Sequence, residues 1–206
     1  LDDKAVRIEA LAAQIVGAVA PRVDAVAESI RGWEGSAGRH YFEALAAAIP
    51  KDWRFEGRSM RPAKDAFNAA LNYCYGILYG QVERALLIAG LDPYLGFLHR
   101  DDYNQKSMVF DFIEPYRVYV DTVVFRLFTG KRVNQTHTDA LANGVTLNKE
   151  GKQLLIEKLN QYTEVDKIRY RGRNQTRMNA LQMDAHRFAN ALIGNGEAET
   201  PQKEEL

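Results

Sequence analysis

At 206 residues with a formal net charge of zero, the chain can bury the core of a single domain and is not a polycation that coats nucleic acid indiscriminately. A local basic patch stays open, because the field at a site depends on where the charges sit. Hydrophobic residues at 46% and charged residues at 26% are the balance of a soluble globular protein, and no apolar run reaches the roughly 20 residues of a membrane-spanning helix. The only cysteine, Cys74, excludes an intramolecular disulfide framework and points to a reducing cytoplasm. The opening Leu1-Asp2-Asp3-Lys4 has neither an initiator Met nor the layout of a signal peptide, as expected of a piece of a longer product.

Apolar positions at Val6, Leu11, Ile15, Val19, Val23, Val26 and Ile30 predict helix over residues 3–31, interrupted at Pro21, whose ring removes a donor and clashes with the previous turn. After Arg31-Gly32-Trp33-Glu34-Gly35 an alanine-rich helix is expected from Ser36 to Ile49, with Pro50 stopping it. Residues 50–61 read as a charged loop anchored by Trp53 and Phe55. Pro62 suits the first position of the next helix. That helix carries Phe67, Ala70, Leu71, Cys74, Ile77 and Leu78 on one face, the series of a buried stripe, and Gly90 fits its left-handed close.

Pro93 and Gly96 break the chain before His99, and residues 100–106 are a polar loop. A largely apolar helix is expected from Ser107 to Phe128, kinked or split at Pro115 and ended by Gly130. Residues 131–146 look irregular apart from a short extended piece at Gly144-Val145-Thr146. Further helices are predicted from Asn148 to about Tyr162 and from Gln175 to Ile193, with loop over 163–173 between them. The expected fold is all-α and multi-helical, with a helical domain over 1–194 and an acidic, disordered tail over 195–206.

Asp111 and Glu114 share a helical face, because positions i and i+3 are neighbours, and His99 lies on the loop just before. Two carboxylates and an imidazole suit a divalent metal that works on phosphate, Mn²⁺ as well as Mg²⁺. Spacing alone favours a plainer arrangement, in which Glu114 pairs with Arg117 and His99 bonds Asp101 or Asp102. Against it stand Val109, Phe110, Phe112 and Ile113, since carboxylates in an apolar helix need compensating charge. Glu34, at the expected helix mouth between Gly32 and Gly35, is the candidate third acid; otherwise it complements the helix dipole.

Two basic clusters bear on a substrate. Arg54, Arg58, Arg61 and Lys64 are diluted by acids. Lys167, Arg169, Arg171, Arg173 and Arg177 surround Tyr170 with no acid between 167 and 177, as in a loop that tracks phosphates; a solvated charged loop reads equally well. His40, His137 and His186 have no ligand at metal-like spacing. Cys74 faces the core as an inert thiol.

Four segments, taken in order, resemble the catalytic domain of the CRISPR-adaptation integrase-nucleases, the Cas1 family. They are Arg31-Gly32-Trp33-Glu34-Gly35-Ser36-Ala37-Gly38-Arg39-His40-Tyr41-Phe42, Arg58-Ser59-Met60-Arg61-Pro62-Ala63-Lys64-Asp65-Ala66-Phe67-Asn68, Leu95-Gly96-Phe97-Leu98-His99, and Ser107-Met108-Val109-Phe110-Asp111-Phe112-Ile113-Glu114-Pro115-Tyr116-Arg117. The resemblance implies an α-helical domain with Mg²⁺ or Mn²⁺ held by Glu34, His99 and Glu114, Asp111 assisting; the basic clusters offer Arg58, Arg61, Lys64, Lys167, Arg169, Arg171 and Arg173 as its DNA contacts. It implies an endonuclease and integrase that joins captured DNA fragments (spacers) to a CRISPR repeat array by transesterification. The implied partners are prespacer and repeat DNA, a second copy and the Cas2 protein, in the cytoplasm and with no membrane. The family's N-terminal β-rich domain, which builds the dimer, is expected to be absent from this chain, leaving dimerisation and Cas2 binding open for this piece. The competing readings are a helical DNA-binding or assembly module with an inactive metal site, and a structural helical protein whose acids pair with arginines.

Overall fold

Helix α3 (Ala66–Ile88) is the axis against which the rest of the molecule packs. In the computed structural model, which describes residues 2–99 and 104–194, its Phe67, Leu71, Cys74, Leu78, Val82 and Leu86 are all fully buried. That is the three- and four-residue spacing of a single helical face. Asp65 caps the helix by accepting from the Asn68 N–H at 2.8 Å. Gly90, at φ +81°, ends it in the left-handed region that glycine adopts without strain.

The elements run in chain order as α1 (Asp2–Gly17), α2 (Asp24–Ala48), α3, α4 (Ser107–Ile113), α5 (Arg117–Thr129), hairpin β1 (Thr138–Leu141) and β2 (Gly144–Leu147), α6 (Lys149–Asn160), hairpin β3 (Lys167–Tyr170) and β4 (Arg173–Thr176), and α7 (Arg177–Leu192). Helices α4, α5, α6 and α7 all contact α3, and its core continues through Val109, Ile113, Val120, Val124, Phe128, Leu155, Leu159 and Leu181. The fold is all-α, as expected, with the two hairpins at its edge. No helix among the described residues is long and apolar enough to cross a membrane.

Pro115 splits the long apolar segment as predicted: Glu114–Tyr116 form one 3₁₀ turn between α4 and α5. Other boundaries differ. Helix α2 is continuous through Gly32, Trp33, Glu34 and Gly35, so Glu34 sits mid-helix and not at a helix mouth. A Cβ at Gly32, Gly35 or Gly38 would meet open space. Each glycine therefore costs only its propensity of about 1 kcal/mol, and packing of Phe42, Leu45 and Ala46 on the core outweighs it. Pro62 does not begin α3; it follows a cis bond in the bend ahead of the helix, because the cap falls to Asp65.

The hairpins are the larger departure. Strands of four residues are too short to show a period. In the second hairpin Arg171 (φ 49°) and Gly172 (φ 75°) supply the paired left-handed residues of a type I′ turn, which converts the expected loop into a ladder pairing Lys167 with Thr176 and Tyr170 with Arg173. In the first, the Val145 N–H donates to the Ala63 carbonyl at 2.8 Å. A side chain at Gly144 would collide with that carbonyl, so only glycine lets the strand lie there. The acidic segment 195–206 and residues 100–103 of the polar loop lie outside the described residues.

Fully buried Asn68 ties the chain ahead of α3 to the helix. Its side-chain oxygen accepts from Arg58 Nη1 at 2.7 Å and Ser59 N–H at 3.0 Å, and its amide donates to the Gly57 carbonyl at 2.9 Å and to Asp65 at 2.7 Å. Asn68→Ala strips partners from several buried groups, each worth about 1–3 kcal/mol, and should lower unfolding free energy by about 3 kcal/mol in a urea titration with unchanged slope. Burial pushes the Cys74 thiol up to about 12, so native protein at pH 8 should resist alkylation that proceeds readily in urea.

Candidate metal centre and nucleic-acid interface

The segment Gly96–His99 lies directly on the start of α4. A Cβ at Gly96 would stand 2.6 Å from the Ser107 Cβ and 2.8 Å from Asp111 Oδ2, so a side chain there would push the segment off the helix. The Asp111 side chain is 0% exposed. Its Oδ2 accepts from the N–H groups of Phe97 at 2.6 Å and Leu98 at 2.9 Å, and its Oδ1 accepts from the His99 N–H at 3.0 Å and meets His99 Nδ1 at 2.5 Å. Each oxygen thus takes two donors, the capacity of a carboxylate oxygen. Nδ1 is the donating nitrogen of the ring, which leaves Nε2 as the lone-pair nitrogen. A buried carboxylate that fixes a histidine's tautomer and orientation in this way is the usual outer partner of a metal-ligating imidazole. Asp111, expected to assist the site, is saturated as an acceptor by these four donors. The expected partners Asp101 and Asp102 lie outside the described residues.

Glu114 opens the 3₁₀ turn and faces Glu34 of α2 within hydrogen-bonding reach. Its carboxyl is pushed up to about 7, first by burial and then by the charge and hydrogen bond of Glu34, against the opposing pull of Arg117 and His99. Arg117 Nε stands 3.2 Å from Glu114 Oε1, so the pairing expected one turn on is present beside the site. The same guanidinium lies over the Tyr75 ring at 5.5 Å and donates to the Tyr79 hydroxyl at 3.3 Å.

Glu34 and His99, from two other elements, therefore both act on the Glu114 carboxyl. Among the described residues no three His, Cys, Asp or Glu side chains are arranged to hold a metal ion. The donor set itself fits a divalent cation: two carboxyls crowded enough to raise one pKa, and an imidazole with its Nδ1 occupied.

The basic residues divide by position. Arg58 is half-buried, its guanidinium between the rings of Phe42 (5.5 Å) and Tyr75 (5.4 Å) and bonded to Asn68, so it packs the core edge. Arg61 and Lys64 are exposed, with Lys64 reaching the Asn143 carbonyl at 3.3 Å. On the second hairpin Lys167 and Arg169 are exposed and two residues apart, which puts them on one strand face, cross-paired with Thr176 and Asn174. Arg173 is exposed near the turn, Arg171 lies over the Tyr170 ring at 5.6 Å, and Arg177 is buried 3.6 Å from the Tyr162 ring.

Sequence reasoning missed the tie between this hairpin and the metal-side turn. Asp184 of α7 accepts from the hydroxyls of Tyr116 (2.9 Å) and Tyr170, and Tyr116 is two residues beyond Glu114. Residues separated by 14 and 68 positions leave no local pattern. Only the burial of an acid in an amphipathic helix could have flagged Asp184.

A family model described as CRISPR associated protein Cas1 matches residues 1–161. The CRISPR-associated endonuclease Cas1 1 of Archaeoglobus fulgidus is 37% identical over 174 residues, covering 81% of this chain and 50% of that protein. Among solved structures, a casposase bound to integration product superposes with a TM-score of 0.79 at 25% identity, covering 86% of this chain and 52% of the casposase chain. A chain of a Cas6-RT-Cas1–Cas2 complex shares the fold with a TM-score of 0.80 at 23% identity, covering 96% of this chain and 21% of its own length. The chain spans about half the length of the curated relatives it matches.

The carboxyl pair makes a stability prediction for the cation-free protein. The Glu114 pKa is raised in the fold from about 4.5 to about 7, so the folded state holds this proton more tightly than the unfolded chain. The associated stability is fully present below pH ~4.5 and is lost as pH rises through ~7. In EDTA, Glu114→Gln should therefore raise stability at pH 8 by about 1 kcal/mol, after allowance for partial exposure, and flatten the melting temperature between pH 5 and 8. Parallel pH profiles for the variant and the parent would contradict this.

Proposed function

The chain belongs to the Cas1 family of CRISPR-associated proteins, and from that membership we propose that residues 1–194 are the helical catalytic lobe of a metal-dependent DNA endonuclease and integrase. Its reaction inserts captured DNA fragments into a CRISPR array by transesterification. The observation that carries this reading is the Asp111–His99 pair: a buried acid saturated by four donors engages His99 Nδ1 and leaves Nε2 as its lone-pair nitrogen, while His99 and Glu34 both act on the Glu114 carboxyl.

Glu34, His99 through Nε2, and Glu114 would hold Mg²⁺ or Mn²⁺, which supplies Lewis-acid polarisation of a phosphodiester. Asp111 keeps Nδ1 protonated and the ring oriented. Arg117 holds one Glu114 oxygen by an ion pair and so restrains the rotamer of that carboxylate. In the reaction a strand's 3′-oxygen forms a new bond to phosphorus while the bond to the departing 3′-oxygen breaks. One phosphodiester replaces another, the attacking hydroxyl loses its proton to solvent and the leaving oxygen gains one.

The exposed cations Lys167, Arg169 and Arg173, with Arg61 and Lys64, are the proposed phosphate contacts. Arg58 and Arg171, with rings under their guanidiniums, are proposed to support that surface rather than lead it. The proposed partners of the whole protein are prespacer and repeat DNA, a second copy and Cas2, in keeping with the shared fold of the Cas6-RT-Cas1–Cas2 complex. A second reading is favoured by one observation, that no three candidate ligands among the described residues form a closed set: a helical DNA-binding or assembly module with an inactive site.

Nicking of branched DNA in Mn²⁺ separates the two. His99→Ala and Glu34→Gln should abolish it while leaving DNA binding intact, and Asp111→Asn should lower it by about 10–100-fold, the usual effect of removing an outer partner. Full activity in His99→Ala would exclude the metal reading, and parent protein that binds DNA without nicking it would establish the second. Replacing Lys167 and Arg169 together by Gln should reduce the slope of log affinity against log salt by about 1.8 on duplex DNA, roughly 0.9 per lost phosphate contact.

A further inference from the structure

Glu34 is carried by a helix that puts few buried side chains into the core. Within α2 only Ala27 is fully buried, and the residues that pack on the core, Phe42, Leu45 and Ala46, all lie beyond Glu34 toward the C-terminal end. A helix advances 1.5 Å and turns 100° per residue, whereas ligand distances tolerate only about 0.2 Å. A slip of α2 by one residue would therefore remove Glu34 from any site shared with His99 and Glu114.

Two polar contacts oppose such a slip, and both lie on the Glu34 face. Arg31 is three residues before Glu34 and Tyr41 seven residues after it, positions that line one side of a helix. Arg31 Nη1 donates to the Leu98 carbonyl at 2.6 Å, and Leu98 is the residue before His99. The Tyr41 hydroxyl donates at 3.1 Å to Oδ2 of buried Asp121, which lies seven residues beyond Glu114. Asp121 Oδ1 accepts from the Tyr75 hydroxyl at 2.5 Å, so the acid that receives Tyr41 is itself held by α3.

We propose that Arg31 and Tyr41 are positioning residues that set the register of Glu34, one pin referring it to His99 and the other, through Asp121, to Glu114. The inference rests on the metal reading above. Neither residue touches the reacting atoms. Arg31 joins α2 to the segment that bears His99, and Tyr41 joins it to α5, the helix that continues from the turn bearing Glu114, so the three-element site is assembled by contacts outside its ligand sphere.

The test compares Mn²⁺ binding by calorimetry in the full chain for the parent, Tyr41→Phe, Arg31→Met and a control, Thr163→Val. Thr163 is fully buried and its hydroxyl donates to the Leu159 carbonyl at 2.9 Å, so the control removes a comparable hydrogen bond, worth about 1 kcal/mol, away from α2. Tyr41→Phe and Arg31→Met should each weaken Mn²⁺ binding about 10-fold, in the range seen for outer partners, while Thr163→Val binds as the parent does. In EDTA the amides of residues 31–38 should exchange faster in Tyr41→Phe than in the control. Unchanged Mn²⁺ affinity and exchange in both pin variants would overturn the positioning role with the metal reading intact. A parent that binds no Mn²⁺ would overturn the metal reading and this inference with it.

Discussion

The buried carboxylate of Asp111 is the constraint on which the site depends. Removing an ionised acid from water costs several kcal/mol even after relaxation, and here four donors from three consecutive residues offset that cost. The compensation works in both directions. The N–H groups of Phe97, Leu98 and His99 would lack partners in a loop pressed against a helix, and the acid would lack counter-dipoles in an apolar helix. Each solves the other's problem, which welds the His99 segment to α4 and leaves the imidazole one orientation. Gly96 is required because the weld brings backbone within 3 Å of where its Cβ would be.

Function and stability pull apart at the neighbouring acids. Like charges held close near a protein surface repel, and Glu34 and Glu114 face each other within hydrogen-bonding reach in partial burial. Arg117, ion-paired with Glu114, pulls the other way. The Glu114 carboxyl is still pushed up to about 7, first by burial and then by Glu34. A purely structural arrangement would have placed the arginine between the acids. Here it stands to one side, bonded to Glu114 and Tyr79.

How much of this the sequence carried depends on range. Helix α3 was evident from a buried stripe repeated over about three turns, and Pro115 and Gly90 act through backbone chemistry that needs no tertiary context. The common face of Asp111 and Glu114 also follows from helix geometry alone. Their different fates do not: Asp111 points at a loop and Glu114 at another helix, and only the packing decides which acid is saturated. The continuity of α2 was hidden because Gly32 and Gly35 look like punctuation, yet isolated glycines cost less than the downstream packing supplies. The basic run 167–173 looked uniform, but a type I′ turn at Arg171-Gly172 folds it so that Lys167 and Arg169 face solvent while Tyr170 is buried. The Asp121 and Asp184 bonds link residues far apart in the chain and left no local signal.

These three points describe one division of labour. His99 and Glu114 sit on α4 and its edges, fastened to the core through Asp111, Ile113 and Tyr116. Glu34 arrives on a helix that sets Phe42, Leu45 and Ala46 against the core only beyond it, and whose polar contacts on the Glu34 face reach the Leu98 carbonyl and Asp121 of α5. A hydrophobic interface over the whole of α2 would hold the helix as firmly but with less directional precision, since apolar contacts tolerate sliding that a hydrogen bond does not. Directional bonds at either side of Glu34 fix both its rotation and its translation. That is what the proposed site would require of a carboxylate that comes from a separate helix.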